Sequence, residues 1–200
     1  ISGTIHSKSY KKILAGKKMF GAEWFKDSKL NFAENLLKYR DNHAAIISYR
    51  EDSETVKLSY KQLYENVSSL AFELRKLGVE KGDRVAGFVT NIPEAVIAML
   101  AATSIGAIWS SASPDFGFLG ILDRFGQIEP KVLFAIESYQ YNGKKIDCTE
   151  KIKKIAENLT SLKKVIIISK FYNFKKKNVK WEKTNINNSV YFEELLSNRK

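Results

Sequence analysis

Cysteine, proline and long apolar runs are all scarce in this sequence. One cysteine, Cys148, and three prolines stand among 200 residues. A lone cysteine excludes an internal disulfide and has no partner at metal-ligand spacing, which predicts a reducing compartment. The longest apolar stretch, residues 95–109, is too short to cross a bilayer, and no charged-then-apolar signal segment opens the sequence. We therefore expect a cytoplasmic protein that does not bind membranes.

Familiar catalytic motifs are also missing. The sequence contains no Walker-type phosphate loop, no Gly-x-Gly-x-x-Gly after a strand, no His-Glu-x-x-His, no Cys-x-x-Cys and no Gly-x-Ser-x-Gly elbow. His6 and His43 lack partners at ligand spacing, and we expect them on the surface or in packing contacts. Cys148 is expected in the first turn of a helix, where an exposed thiol would be mildly reactive. The sequence thus predicts no catalytic residue and no metal ligand.

Positive charge is in excess, with a formal net charge of +11. The densest cluster is Lys175, Lys176 and Lys177, within a polar stretch. Such a run is more often a solvated loop than a nucleic-acid surface, and no recognition-helix pattern accompanies it. We therefore expect no nucleic-acid partner, although the charge would attract small anionic ligands.

Two short apolar runs with a helical pattern between them are the most informative part of the chain. Residues 84–89 and 108–111 have the length and composition of buried strands. Between them, a helix is expected to begin at Asn91, with Asn91 as its N-cap. Pro93 would lie in the first turn, and Glu94 would close a capping box. The pattern predicts a strand, a crossover helix and a second parallel strand.

The flanking sequence alternates in the same way. Residues 44–49 and 56–58 predict a β-hairpin, and Ser59 with Gln62 predicts a capping box that opens an amphipathic helix. Further helices are expected at 116–128, 147–159 and 191–196, and further strands at 132–136 and 165–168. Asp147 and Glu150 are expected to cap the helix at 147–159. Strands alternating with helices predict an α/β fold with a mainly parallel sheet flanked by helices.

Several of these segments resemble a known family. The turn GVEKGDRV (78–85), the segment NIPEAVIAMLAATSIGA (91–107) and the loop WSSASPDFG (109–117) are similar to motifs of the adenylate-forming acyl-CoA synthetases. Within that superfamily, the loop, the segment LNFAENLL (30–37) and the segment YNGK (141–144) most resemble the acetoacetyl-CoA synthetase family. The resemblance covers nearly the whole chain.

The resemblance implies both an organisation and a chemistry. Residues 1–40 would form an N-terminal segment of the acetyl-CoA synthetase type. Residues 41–200 would form the first part of the large N-terminal AMP-binding domain, ending before the family's phosphate loop and catalytic lysine. The implied enzyme is an acid–thiol ligase that uses ATP, Mg²⁺ and coenzyme A to convert acetoacetate, through an acyl-adenylate, to acetoacetyl-CoA, AMP and pyrophosphate. Its partners would be these small molecules and the remainder of its own chain, and the 200 residues alone would be inactive.

The first candidate contact with coenzyme A is a loop that contains Ser113, Pro114 and Asp115. It follows a predicted strand and precedes a predicted helix, and ligands of parallel sheets bind at such places. Alternatively, Ser113 and Asp115 only cap the helix and Pro114 stiffens the turn. The resemblance favours the first interpretation, because the corresponding loop of related synthetases borders the pantetheine channel.

The second candidate contact contains Tyr141, Gly143 and Lys144. We expect this segment between a strand and a helix, where Gly143 would allow close approach of a phosphate to the Lys144 ammonium group. The alternative is an ordinary basic turn. In acetyl-CoA synthetases the matching positions carry an Arg-x-Gly-Arg pattern that contacts coenzyme A, and Tyr141 and Lys144 match its two arginines.

Two other functions stay open at this point. A synthetase for acetate, propionate or another short acid is compatible with the sequence, because the acyl-pocket segments are absent from it. A non-catalytic nucleotide-binding or nucleic-acid-binding α/β module is compatible with the charge and with the alternation of strands and helices. In either case, Trp24, Phe25 and Leu36 are expected to fasten the N-terminal segment to the core.

Overall fold

A computed structural model of the chain describes residues 3–16, 18–51, 53–169 and 184–197. The strands are β1 (Lys12–Ala15), β2 (Glu23–Lys26), β3 (Ala44–Arg50), β4 (Ser53–Ser59), β5 (Arg84–Phe88), β6 (Ile108–Ala112), β7 (Val132–Ile136), β8 (Ser138–Tyr141), β9 (Lys144–Asp147), β10 (Lys164–Ile168) and β11 (Ser189–Tyr191). The helices are α1 (Phe32–Leu36), α2 (Tyr60–Lys76), α3 (Pro93–Ser104), α4 (Phe118–Ile128), α5 (Thr149–Asn158) and α6 (Phe192–Ser197).

Five of the strands form one parallel sheet, in the order β11-β10-β7-β5-β6. β5 lies between its successor β6 and the later strand β7, so the connection from β6 to β7 crosses over β5. The strand order therefore changes direction at β5 and β7, and ligands of open α/β sheets bind beyond the carboxyl ends of strands near such a point. The predicted α/β fold with a mainly parallel sheet flanked by helices is confirmed.

Both faces of the sheet are covered, and each has its own apolar core. Side chains of α2, α3 and α6 pack with Val85 and Phe134 on one face, whereas α4 and α5 pack with Phe88 and Leu133 on the other. All five residues of β7 are buried. A strand covered on both faces needs apolar side chains at consecutive positions, which explains why these strands appear in the sequence as unbroken apolar runs.

The helix α2 has the start and end that its sequence predicts. The N–H group of Gln62 donates to Ser59 Oγ at 3.2 Å, and the N–H group of Ser59 donates to Gln62 Oε1 at 2.9 Å. Both bonds of a capping box are therefore present. Gly78 follows the helix with a φ of +76°, a left-handed conformation that glycine adopts without steric cost. The predicted hairpin is also confirmed, as β3 and β4.

The predicted capping box of α3 is wrong. The N-cap is Ile92, whose backbone is extended and whose side chain is buried, and Asn91 lies one residue outside the helix. No side chain caps this helix end. Glu94 points inward and is only 4% exposed, so it cannot reach back to the N-cap as predicted. Pro93 does lie in the first turn, where its missing N–H group leaves no donor unpaired.

The sequence did not reveal three short pieces of β-structure: the hairpin of β1 and β2, the hairpin of β8 and β9, and the edge strand β11. Each of these strands has three or four residues. A run this short contains too few alternations to indicate a strand, and pairing with a neighbour decides its conformation.

The N-terminal segment is attached differently from the prediction. Trp24, Phe25 and Leu36 are 64%, 49% and 45% exposed, so they do not fasten it to the core. Instead, the side-chain amide of Asn31 donates to the carbonyl oxygens of Thr103 and Ser104 at 3.2 and 3.0 Å, at the end of α3. The buried side chains of Ala33 and Leu37 in and after α1 complete this contact. The boundary between residues 1–40 and 41–200 remains a prediction.

Within the described ranges, no helix has both the length and the apolar character needed to cross a membrane. The cluster Lys175, Lys176 and Lys177 lies outside the described residues.

Candidate functional site

Residues 113–117, here named the SPDFG loop, connect the carboxyl end of β6 to α4. Ser113 Oγ donates to Asp115 Oδ2 at 2.7 Å, and the N–H group of Asp115 donates to Ser113 Oγ at 3.3 Å. The N-cap of α4 is Gly117, and no side chain caps the helix. The alternative in which Ser113 and Asp115 cap α4 is therefore wrong, because these side chains bind each other instead.

A tyrosine from another element holds the same loop. Tyr139, in β8, donates its hydroxyl group to Asp115 Oδ1 at 2.5 Å. This hydrogen bond, followed by the one from Ser113, lowers the pKa of Asp115 below its usual value. Burial of the ring, followed by the bond to Asp115, raises the pKa of Tyr139. At neutral pH the pair is thus a phenol donating to a carboxylate, which is a charge-assisted hydrogen bond.

A lysine holds the backbone of the loop. Lys151 lies in the first turn of α5, and its Nζ atom donates to the carbonyl oxygens of Pro114 and Phe116 at 2.9 and 3.4 Å. The same ammonium group lies 5.7 Å from the centre of the Phe88 ring. The side chain is therefore directed across the end of β5 towards the loop. Tyr139 and Lys151 together bind both a side chain and the backbone of the SPDFG loop.

The second predicted contact forms the tip of the β8–β9 hairpin. Asn142 and Gly143 occupy the turn with φ values of +51° and +70°, the conformation of tight hairpin turns that favours an Asn-Gly sequence. Tyr141 and Lys144 flank the turn and pair with each other across it. The basic segment lies between the strand β7 and the helix α5, as expected, but it forms the turn of a β-hairpin that the sequence did not predict.

The register of the hairpin decides which side chains face the loop. Residues paired directly across an antiparallel ladder share a face, and so do residues two apart in one strand. Tyr141 and Lys144 therefore lie on the face from which Tyr139 reaches Asp115. Lys145 pairs with Gln140 and lies on the opposite face. The structure thus connects the two candidate segments through Tyr139 and places Lys144, but not Lys145, on the face of the hairpin that carries Tyr139.

The tip of the hairpin is exposed and carries mixed charge. Lys144 is exposed, and Tyr141 is 62% exposed. No ion pair of Lys144 occurs among the described residues. The N–H group of Gly143 donates to Glu51 Oε2 at 3.4 Å, so this amide is partly engaged and a carboxylate lies beside the turn. Lys144 is the cation of the tip that an incoming anion would meet on this face.

Cys148 lies at the beginning of α5, next to the helical position expected for it. It is the N-cap of α5, but its side chain has no exposed surface. Burial raises the pKa of its thiol to about 11, so the thiolate is not populated at neutral pH. The condition for mild reactivity, an exposed thiol, is therefore not met, because the cysteine packs into one of the two apolar cores. His6 and His43 are both exposed, as expected.

Buried carboxyl groups form a second polar feature near the carboxyl edge of the sheet. Burial raises the pKa of Glu94 to about 7 and the pKa of Glu193 to about 8. The N–H group of Ser169 donates to Glu193 Oε1 at 3.2 Å, whereas Glu193 Oε2 has no partner among the described residues. The raised pKa values favour the protonated, uncharged forms of both carboxyl groups, which reduces the negative charge inside this edge of the sheet at neutral pH.

Sequence reasoning missed Tyr139 and Lys151. The bond between Tyr139 and Asp115 joins residues 24 apart, and no local pattern indicates such a contact. Lys151 lies in the first turn of α5, where a cation is weakly unfavourable beside the positive end of the helix dipole, but its position does not indicate a partner. Its partners, the carbonyl oxygens of Pro114 and Phe116, lie 37 and 35 residues away in sequence.

The chain is similar to known proteins over most of its length. Residues 32–195 match the model of the family described as AMP-binding enzyme. An acetoacetyl-CoA synthetase of Xenopus tropicalis is 44% identical over 203 residues, which cover 100% of this chain and 30% of that protein. That of Gallus gallus is 47% identical over 180 residues, which cover 89% of this chain and 26% of that protein.

A solved structure gives the same result. The acetoacetyl-CoA synthetase from Streptomyces lividans matches with a TM-score of 0.83 and 35% identity, covering 98% of this chain and 29% of that one. The chain thus spans less than a third of the length of these relatives.

Proposed function

Because the chain belongs to the AMP-binding enzyme family, we propose that it forms the N-terminal part of an acetoacetate–CoA ligase. Such an enzyme joins acetoacetate to the α-phosphate of ATP with release of pyrophosphate. The thiol of coenzyme A then displaces AMP from the acyl-adenylate to give acetoacetyl-CoA. Similarity to acetoacetyl-CoA synthetases over almost the entire chain supports this assignment, and it favours acetoacetate over other short acids.

The observation that carries the coenzyme A assignment is the bond between Tyr139 and Asp115. It brings the SPDFG loop and the β8–β9 hairpin, which are separate in sequence, to one side of the sheet. We assign Ser113, Pro114 and Asp115 to the pantetheine side of the coenzyme A site. Tyr141, Gly143 and Lys144 are assigned to its phosphate side, where Lys144 supplies the positive charge and Tyr141 an exposed aromatic surface.

Coenzyme A supplies the thiol, and this chain supplies a place to hold it. The Lys144 ammonium group would attract a phosphate group at the exposed hairpin tip, while the loop, held by Asp115, would border the narrower arm of the cofactor. The described residues contain no group of three or more His, Cys, Asp or Glu side chains able to hold a metal ion. We therefore assign no ligand of Mg²⁺ in this chain and derive no adenylation step from it.

Adenylation would depend on the remainder of the enzyme. The 200 residues contain neither the phosphate loop nor the catalytic lysine of the family, so we propose that they are inactive alone. Their partners would be the rest of the chain and the small molecules acetoacetate, ATP and coenzyme A. A cytoplasmic location is proposed because the only cysteine is a free thiol buried in the core.

The test is Lys144→Ala in the full-length enzyme that contains this chain. A charge-assisted contact with a phosphate group stabilises binding enough that its loss should raise the KM for coenzyme A about 10- to 100-fold. Acetoacetate-dependent ATP–pyrophosphate exchange should be unchanged, because adenylation precedes the entry of the thiol. Lys145→Ala is the matched control, since Lys145 has the same chemistry on the opposite face of the hairpin.

An unchanged KM for coenzyme A in Lys144→Ala would show that the hairpin tip is an ordinary basic turn. Equal losses in both half-reactions would also refute the assignment. Failure of the full-length enzyme to support acetoacetate-dependent exchange would refute the acetoacetate assignment itself.

A further inference from the structure

Residues 115–117 of the SPDFG loop are exposed, whereas Pro114 is buried, and one side chain of the loop and two from other elements determine its shape. Ser113 binds Asp115 within the loop, Tyr139 binds Asp115 from β8, and Lys151 binds two loop carbonyl groups from α5. Loops of this kind are usually among the more mobile parts of a protein. In this loop, both oxygen atoms of the Asp115 carboxylate accept hydrogen bonds from side chains of the protein itself.

We infer that Tyr139 and Lys151 are positioning residues that hold the SPDFG loop in the shape that admits coenzyme A, and that Tyr139 ties this loop to the hairpin that carries Lys144. This role rests on the proposed function. Neither residue contacts the ligand in this scheme. Tyr139 acts through the Asp115 side chain, and Lys151 acts through the carbonyl groups of Pro114 and Phe116.

The surroundings of both side chains explain why they can act as positioning residues. The Tyr139 ring packs against both apolar cores of the sheet, so its position is fixed before its hydroxyl group meets Asp115. The Lys151 stem begins in α5, beside the buried side chain of Ile152, and its ammonium group lies over the Phe88 ring. Both side chains are thus partly ordered by packing, and less conformational entropy is lost when they bind the loop.

Two substitutions remove the contacts with little change in packing. Tyr139→Phe deletes only the hydroxyl group, and Lys151→Met keeps the length and the apolar stem of the side chain. Matched controls are Tyr10→Phe, an exposed position that precedes β1, and Lys154→Met, an exposed position on α5. All variants are made in the full-length enzyme that contains this chain.

The first measurement does not depend on coenzyme A. The amides of Asp115 and Phe116 donate to Ser113 Oγ and to the Ser113 carbonyl oxygen. Hydrogen exchange of these two amides should be faster in Tyr139→Phe and in Lys151→Met than in the controls. In Tyr139→Phe the pKa of Asp115 should also rise towards its ordinary value, because the strongest contribution that lowers it is lost. Unchanged exchange in both variants would overturn the inference.

The second measurement is steady-state kinetics. Loss of a hydrogen bond to a charged partner should raise the KM for coenzyme A about tenfold in Tyr139→Phe, and ATP–pyrophosphate exchange should be unchanged. In the double variant Tyr139→Phe/Lys151→Met, the KM for coenzyme A should rise by less than the product of the two single fold increases, because both residues hold one loop. Lys151→Arg, which retains the cation, should recover part of the loss.

The outcomes separate this inference from the proposed function. If Lys144→Ala raises the KM for coenzyme A and Tyr139→Phe does not, the result supports the coenzyme A site at Lys144 and shows that the positioning role of Tyr139 is wrong. If none of the variants changes the KM for coenzyme A, both the coenzyme A site and the positioning role are wrong. Equal losses in both half-reactions of Tyr139→Phe would mean that the hydroxyl group serves general stability, which also overturns the inference.

Discussion

Gly87→Ala adds a single methyl group at a position where the structure has no space for it. Gly87 is buried in β5, the strand between β6 and β7. A Cβ atom there would lie 2.6 Å from Cζ2 and 2.7 Å from Cη2 of Trp109, and 3.3 Å from Cγ2 of Val89. Since φ at Gly87 is not positive, the conflict is purely one of packing. The Trp109 ring would have to move.

The neighbours of the Trp109 ring limit how far it can move. Its centroid lies 6.0 Å from that of Phe134, which in turn lies 6.3 Å from that of Phe192. Overpacking such a core costs about 1–3 kcal/mol. Replacing glycine by alanine within a strand recovers about 0.5–1 kcal/mol. The net loss is therefore at most about 2.5 kcal/mol, which corresponds to a decrease in Tm of up to about 10 °C for a domain of this size.

Thermal unfolding monitored by tryptophan fluorescence measures this loss in the protein that contains the chain. Gly126→Ala is the matched control, because Gly126 lies within α4 and a Cβ atom there would meet nothing within 4 Å. This control should stabilise the protein by about 0.5–1 kcal/mol. Trp109→Phe removes the two ring atoms that clash with the new methyl group. It should therefore destabilise the Gly87→Ala variant less than it destabilises the wild-type protein. A Gly87→Ala variant that is stabilised as much as Gly126→Ala would refute the packing argument.

Two further predictions concern buried titratable groups. The pKa of Glu193 in the folded protein, about 8, lies above its ordinary value of 4.5, so folding becomes less favourable as pH rises between these values. Glu193→Gln mimics the protonated form and should raise the urea midpoint at pH 8 with little effect near pH 4.5, and an equal effect at both pH values would contradict this. Cys148 should react with a disulfide reagent at pH 8 far more slowly in the native protein than in urea, because its thiol is buried and its pKa is about 11. Equal labelling rates in the two conditions would show that the thiol is accessible.

Features encoded within a few residues of one another were predictable from the sequence. Ser59 and Gln62 are three positions apart and form both bonds of their capping box. The apolar runs became buried strands because only a strand covered on both faces requires so many consecutive apolar side chains. The alternation of these runs with helical patterns determined the parallel sheet, and short motifs of specific residues indicated the family.

The prediction failed where a local rule competed with packing. Asn91 and Glu94 satisfy the sequence pattern of a capping box, but burial of Ile92 places the N-cap one residue later and turns Glu94 into the interior. The large aromatic side chain of Trp24 predicts a contact that fastens the N-terminal segment to the core, yet it is 64% exposed and its ring neighbour is Phe25 of the same segment. Composition indicates what a side chain prefers, but the neighbours decide whether that preference is met.

The amino-acid sequence by itself determined the layers of the fold, most of the helix and strand positions, and the two segments proposed to hold coenzyme A. Only the tertiary structure brought those segments together, through the bond between Tyr139 and Asp115, and only the strand register placed Lys144 on the same face as Tyr139 and Lys145 on the other. The reason is physical. Helix caps and apolar periodicity arise from interactions over a few residues, whereas a side-chain contact across 24 residues depends on the crossover connections and on the pairing of strands that the local sequence does not specify.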